Sequence, residues 1–455
     1  MSDNKKPNIL FLMSDEHRPD VAGFAGNEVI RTPVLDHLAE TGTVFNNAYT
    51  PSPICIPGRQ SMMSGQLPRT CNCERYGEDL SPGYRTFSRQ LTDYGYETAV
   101  SGKLHHLGSD QMQGWKKRIG GDMDISINHF SEKARKNRRE TPSKKWSDAK
   151  EIARAGIGKR YAKDDEYAVK GAKNFIENYF LDPYYDREQD HPLLLKVSLL
   201  QPHYPYFTDK EKFKYYLNRV EPYLEEEVFD HPFLSTRQVI PGKDVSAREI
   251  RRATAAYYGM VETIDNMYGQ VMEALEKAGE NLDDWIIIYT SDHGEMLGEH
   301  GIWEKQKFFE ASARVPLIIR YPEEFKGGQE IEENVNLCDL FATLCDLTDT
   351  PVPDGLDSRS LVPLMKGDST DWNNETVSQF NGTNLMIKQD HLKYQYYGED
   401  MPEVLFDLKQ NPGETINFIN DPEYKEAVKK FRKRRGELGF GPGAISDYKN
   451  AGYEK

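Results

Sequence analysis

Several short stretches of this 455-residue chain carry side chains that could do chemistry together. The first is Ser-Pro-Ile-Cys-Ile-Pro-Gly-Arg, residues 52–59. Pro57 suits the first turn of a helix, where its fixed φ helps and its missing N–H is not needed. Gly65 marks the end of that helix. Cys55 then stands just before a helix N-terminus, where free N–H groups and the dipole favour negative charge. Arg59 lies one turn further on the same face. A polarised sulfur beside a guanidinium makes an anion site, although a bare Cys-x-Pro-x-Arg also fits a buried thiol beside a solvated arginine.

Other polar residues follow apolar runs of strand length. Asp15 and Glu16 come after Asn8–Met13, and Asp292-His293 comes after Trp285–Tyr289. In parallel sheets ligands bind beyond the carboxyl ends of the strands, so these oxygen and imidazole donors could converge there. Acids after a strand also make plain solvated turns. Lys103 and His105 follow Glu97–Ser101, and in extended chain they point to one side. His203 follows the run Leu193–Leu200 and sits in Pro202-His203-Tyr204-Pro205, either rigidly aimed or simply in a turn. Lys305 closes Gly301-Ile-Trp-Glu-Lys305.

The elements that must position these residues can be read from periodicity. Spacing predicts helices over Val34–Glu40, Phe87–Tyr94, Asp165–Phe180, Ala247–Ala278 and around Phe308–Ala313, with a further strand at Pro316–Arg320. Strands alternating with helices imply an α/β sheet covered by helices on both faces. After Met365 the pattern changes to short strands, Glu375–Phe380, Leu385–Ile387, His391–Tyr397 and Val404–Asp407, and then a charged helical tail. We therefore expect a catalytic domain over 1–365 and a smaller antiparallel-sheet-plus-helix domain over 366–455. A basic insertion is expected at about 109–165. Within it, residues 131–160 hold eleven Lys or Arg against four Asp or Glu, which suits a solvated surface loop or a basic arm near the cleft or a neighbouring subunit.

A net charge of −15 argues against nucleic acid or an anionic membrane as partner. The apolar run beginning at Asn8 leaves no room for a signal peptide and no stretch is long enough to span a bilayer, so a soluble cytoplasmic protein is expected. Cys71 and Cys73 read as ordinary thiols rather than a redox or metal pair, and Cys338 and Cys345 as core.

Cys55-Ile-Pro-Gly-Arg59 followed by Ser61-Met-Met-Ser-Gly65 resembles the signature of the formylglycine-dependent sulfatases, with Gly58 where that family usually has Ser or Ala. The resemblance runs from Asn8–Asp15 through Gly102–Gly108, Pro202–Pro205, Ser291–Gly301 and Arg314–Pro322 to Leu405–Leu408 and Asn411–Glu414. It is nearest in motif to bacterial choline-sulfatase-like and arylsulfatase members. It implies the alkaline-phosphatase-superfamily fold, a large, mixed, mostly parallel sheet sandwiched by helices. It also implies a metal site of Asp15, Glu16, Cys55, Asp292 and His293, and a set of Arg59, Lys103, His105, His203 and Lys305 for sulfate binding and proton transfer. In such enzymes a maturing enzyme converts the Cys to formylglycine, whose hydrate is the nucleophile. Ca2+ is the expected ion for an oxygen-rich set, with Mn2+ or Zn2+ as alternatives because of the imidazole. The implied reaction is hydrolysis of a small-molecule or carbohydrate O-sulfate ester. His203 with Lys305 would protonate the leaving group, and His105 would act as base.

The rival readings are a phosphonate monoester or phosphodiester hydrolase with the same nucleophile, and a non-catalytic anion- or metal-binding protein with unmodified Cys55. Substrate specificity is expected in the 109–165 insertion, around Tyr204 and Tyr206, and in the C-terminal domain. A homo-oligomer is compatible with the sequence.

Overall fold

A computed structural model describes residues 6–121, 148–181, 191–224 and 230–443. In chain order the strands are β1 Asn8–Asp15, β2 Thr43–Tyr49, β3 Glu97–Gly102, β4 Lys117–Gly120, β5 Gly156–Ile157, β6 Leu193–Pro202, β7 Phe207–Thr208, β8 Trp285–Ser291, β9 Leu317–Arg320, β10 Gln329–Asn336, β11 Glu375–Phe380, β12 Asn384–Gln389, β13 Leu392–Tyr396 and β14 Val404–Asp407. Eight of them form one sheet in the order β10-β2-β9-β8-β1-β6-β3-β4. Only β9 runs antiparallel to its neighbours, β2 and β8. The sheet is therefore mixed and mostly parallel.

β1 shows why the sheet is covered on both sides. Every residue from Ile9 to Met13 is fully buried, and successive side chains point to opposite faces. Ile9, Phe11 and Met13 enter a core with Phe87, Leu91, Leu340 and Phe341. Leu10 and Leu12 enter a second core with Ile176, Ile264, Tyr268 and Val271. The latter three lie on the helix Ala247–Lys277, where Ser246 and Glu249 form a capping box at the N-terminus. The helix Ala162–Leu181 packs on the same face.

β11, β12, β13 and β14 form a separate antiparallel sheet, followed by the helix Lys425–Glu437. The basic run 131–160 lies outside the described residues as far as position 147. Its remainder forms the helix Asp148–Arg154 and the short strand β5, which pairs with β7. The helix expected around Phe308 begins only at Glu310, because Phe309 is extended and the Glu310 N–H is taken by the Glu414 carboxylate at 2.7 Å. All five cysteines are buried free thiols. Among the described residues no helix is long and apolar enough to cross a membrane.

Candidate active site

Strand register brings the scattered polar residues to one edge of the sheet. β1 lies between β6 and β8, all parallel, with Ser14 opposite Ser291 and Asp15 opposite Pro202. Asp15, Asp292 and His203 therefore emerge side by side. On the other flank of β6, Gly102 pairs with Ser198, and Lys103 follows it. Gly102 is obligatory there: its φ is +97°, and a Cβ would lie 1.8 Å from the Ser198 carbonyl oxygen. The Lys103 N–H donates to that same oxygen at 2.7 Å.

The helix Cys55–Ser64 lies against this edge. Cys55 is its first residue rather than the one before it; Ile54, extended, is the cap, and Gly65 ends the helix in the left-handed region. A Cβ on Gly58 would stand 2.9 Å from the Ser52 carbonyl oxygen and 3.3 Å from that of Asp292. The close seat of the helix on the 50–53 turn and on the strand end accounts for glycine at this position.

Cys55 Sγ lies 3.2 Å from His293 Nε2 and 3.7 Å from Asp15 Oδ1. Ligand atoms of Asp15, Cys55, Asp292 and His293 all fall within 4.8 Å of one another. His293 Nδ1 donates to the Gly294 carbonyl at 3.0 Å, which leaves Nε2 as the nitrogen that faces the cluster, the orientation a metal ligand needs. Two carboxylates, an imidazole lone pair and position 55 make a donor set that fits a divalent cation. Glu16 falls in a second group, with Asp15 and His203. Its Oε2 accepts from Lys305 Nζ at 2.8 Å, while its buried Oε1 has no hydrogen-bond partner among the described residues.

Cations surround these acids. Arg59 donates from Nε to Asp292 Oδ2 at 2.7 Å and from Nη2 to Asp15 Oδ2 at 3.0 Å. Its Nη1 reaches the Lys103 carbonyl and Ser198 Oγ. Arg59 thus fixes the two carboxylates against the helix. Lys103 Nζ lies 2.6 Å from Asp15 Oδ2; burial opposes its charge, but that carboxylate holds its pKa above the ordinary lysine value. Lys305 is presented by a loop with left-handed backbone at Glu304 and Gln306. That loop is pinned by the Glu304 N–H on Glu295 at 2.6 Å and the Gln306 N–H on the Pro53 carbonyl at 3.0 Å.

Beyond Lys103 the chain leaves the extended path, with a φ of 59° at His105. Burial and the Lys103 ammonium hold its imidazole well below the ordinary histidine range. His203 is likewise held low, by burial and Lys305. Its Nδ1 donates to the Tyr204 carbonyl at 2.6 Å, and its Nε2 accepts from Lys305 Nζ at 2.8 Å. Burial, joined by the Asp15 carboxylate, pushes the Cys55 thiol up to about 11, so an unmodified thiol is protonated and poorly nucleophilic at neutral pH.

Asp15, Glu16, Cys55, Arg59, Lys103, His105, His203, Asp292, His293 and Lys305 therefore lie around one place at the sheet edge. Sequence reasoning passed over Ser198, whose signal was a lone hydroxyl in an apolar strand, and Tyr76 and Tyr161, whose rings meet His105 and His203 from distant loops. Tyr206, expected near the substrate, is instead buried and donates to Glu295 at 3.0 Å.

The sulfatase family profile matches residues 7–350, and the profile described as N-sulphoglucosamine sulphohydrolase, C-terminal, matches residues 298–439. An arylsulfatase of Clostridium perfringens is 28% identical over 457 residues, covering 94% of this chain and 93% of its own. A choline-sulfatase of Rhizobium meliloti is 30% identical over 439 residues, covering 92% of this chain and 83% of its own. The crystal structure of a phosphonate monoester hydrolase of Agrobacterium radiobacter superposes with a TM-score of 0.77 at 22% identity, covering 95% of both chains. That likeness identifies the large sheet and its antiparallel companion as the alkaline-phosphatase-like fold. With the profile matching most of its length, the chain belongs to the sulfatase family.

Proposed function

We propose that the protein hydrolyses an O-sulfate monoester to an alcohol and inorganic sulfate, using formylglycine made from Cys55 and a divalent cation held by Asp15, Asp292, His293 and position 55. One observation carries this reading: the Cys55 side chain stands among those three donors within 4.8 Å, inside a ring of Arg59, Lys103 and Lys305. Glu16 is retained as a candidate ligand through Oε1, the oxygen that Lys305 does not occupy. We favour Ca2+ for a set made mainly of oxygens once position 55 is oxidised, with Mn2+ or Zn2+ as alternatives. Bound there, the cation would supply positive charge beside position 55 as charge builds on the attacking oxygen. Converted to hydrated formylglycine, position 55 would supply, as its alkoxide, the oxygen that attacks sulfur. We read 1–365 as the catalytic domain and 366–455 as its C-terminal companion.

The chain's own residues perform the rest. Lys103 holds the non-bridging sulfate oxygens, while Arg59 keeps Asp15 and Asp292 aimed. The hydrogen bonds of His203 support a reading of the acid. With Nδ1–H on a carbonyl, the neutral ring has only a lone pair at Nε2, and Lys305 donates to it. The proton for the departing alcohol oxygen is therefore held on Lys305 Nζ and positioned by His203 and Glu16. His105, kept neutral by burial and Lys103, serves as the base that takes the proton of the second hydroxyl at position 55 as sulfate is released.

The test is turnover of 4-nitrophenyl sulfate beside an aryl phosphonate and an aryl phosphodiester, with a chelator control. Sulfate ester preferred, and lost on metal removal, is the expected result. A preference for the phosphonate or diester would move the protein to the phosphonate monoester hydrolase reading.

A further inference from the structure

We propose that Tyr76 and Tyr161 form a specificity wall that admits a ring alcohol, neutral or anionic, and rejects a quaternary-ammonium alcohol. This rests on the sulfatase reading above and names the class of ester that the site takes.

The direction of entry follows from burial. Asp15, Glu16, Arg59, Asp292 and His293 are at most 1% exposed and Cys55 2%, while Lys103 and Lys305 reach only 6% and 5%. Of the residues assigned to the centre, His105 and His203 are the ones left partly exposed. A sulfate group seated on the buried cations therefore leaves its alcohol between the two histidines. Each histidine has a tyrosine edge-on against it. Tyr76, half exposed, meets His105 at 5.8 Å and 81°. Tyr161 meets His203 at 6.1 Å and 82°. Tyr204 lies 4.2 Å from the His203 ring.

Aromatic walls of this kind take either the flat C–H face of a pyranose or phenyl ring, or a cation. The charges on the tyrosines decide between them. Lys305 Nζ sits 4.7 Å over the Tyr204 ring, and the Arg160 guanidinium 5.7 Å over the Tyr161 ring. Tyr204 and Tyr161 thus each already hold a cation, and a quaternary ammonium approaching them would meet like charge. The nearby acids do not reverse this, since Glu16 is paired with Lys305 at 2.8 Å and Glu304 with Arg237 at 3.4 Å. Choline-sulfatase similarity over 92% of the chain thus does not extend to the alcohol.

The experiment uses full-length enzyme shown by intact mass to carry formylglycine, assayed with 4-nitrophenyl sulfate, glucose 6-sulfate, ethyl sulfate and choline-O-sulfate. The two ring esters, which distinguish phenol from pyranose, are expected to exceed choline-O-sulfate in kcat/KM by about tenfold or more. Tyr76→Ala and Tyr161→Ala should each lower the ring-to-ethyl ratio of kcat/KM by roughly three- to tenfold, chiefly through KM, while Tyr161→Phe keeps it. Arg160→Ala should raise choline-O-sulfate relative to 4-nitrophenyl sulfate. Because these are ratios, a partly misfolded variant does not mimic the effect. Choline-O-sulfate turned over as well as the ring esters, or equal losses on all substrates in both alanine variants, would overturn the wall. Fully converted enzyme inactive on every sulfate would instead overturn the sulfatase reading, and this inference with it.

Discussion

Two clusters of buried charge in this protein differ in a way that separates structure from chemistry. In the first, Lys393 of β13 is wholly buried and donates to Glu310 Oε1 at 2.8 Å and Glu414 Oε1 at 2.7 Å. Glu310 Oε2 takes the Tyr49 hydroxyl at 2.8 Å, and Glu414 Oε2 takes the Glu310 N–H at 2.7 Å. Every carboxylate oxygen is answered, and the cluster ties the antiparallel sheet to the large one. The second cluster is as deeply buried. There, however, the donors of Asp15, Cys55, Asp292 and His293 converge on one another, and Glu16 Oε1 has no hydrogen-bond partner among the described residues. Buried charge alone does not mark a site. Donors of like kind converging beside a route to solvent do.

Substitutions that strike one cluster should leave the other alone. The largest effect is expected from Cys55→Ala, which should lower turnover of 4-nitrophenyl sulfate by about 10^4-fold or more, as loss of a nucleophile does. Its melting temperature should stay close to that of the parent protein. Lys305→Met should reduce kcat by roughly 10^2- to 10^3-fold. An alkyl sulfate should suffer more than 4-nitrophenyl sulfate, whose leaving group needs less protonation; equal losses on both would remove Lys305 from the acid role. Lys393→Met reverses the pattern. It strands the buried Glu414 carboxylate and leaves Glu310 with Arg314 and Tyr49, and should cost about 3–5 kcal/mol in urea unfolding, with kcat per folded molecule unchanged. A lowered kcat in the folded fraction would show that the two clusters are coupled.

The smallest expected effect is on pH. A base held below its ordinary value stays unprotonated until the medium is more acidic than 6.5. The kcat/KM profile should therefore be level from about pH 8 down to 6.5 and fall only below that, as His105 takes up a proton. A decline beginning above neutrality would contradict the assignment.

The parts of this comparison legible in the sequence were those fixed by local rules. The predominantly apolar runs of β1, β6 and β8 announce central parallel strands, and Pro57 and Gly65 bracket the Cys55 helix. β2, reading Thr-Val-Phe-Asn-Asn-Ala-Tyr, and the charged edge strand β10, Gln-Glu-Ile-Glu-Glu-Asn-Val-Asn, were not legible, because each is stabilised by its neighbour rather than by its own pattern. The antiparallel direction of β9 is likewise set by topology. At the site, residue types at strand ends were readable, but their pairings were not. That Arg59 is bound to Asp15 and Asp292, that Lys305 donates to His203, and that Tyr76 and Tyr161 face the histidines all arise from contacts between residues far apart in the chain.

The most direct test follows the fraction of chains whose mass is lower by about 18 Da, the exchange of the Cys55 thiol and one hydrogen for an aldehyde oxygen, alongside turnover of 4-nitrophenyl sulfate in the same preparations. Turnover should rise in proportion to that fraction and extrapolate to zero for unconverted protein. Full activity in chains that retain the intact thiol would contradict the account.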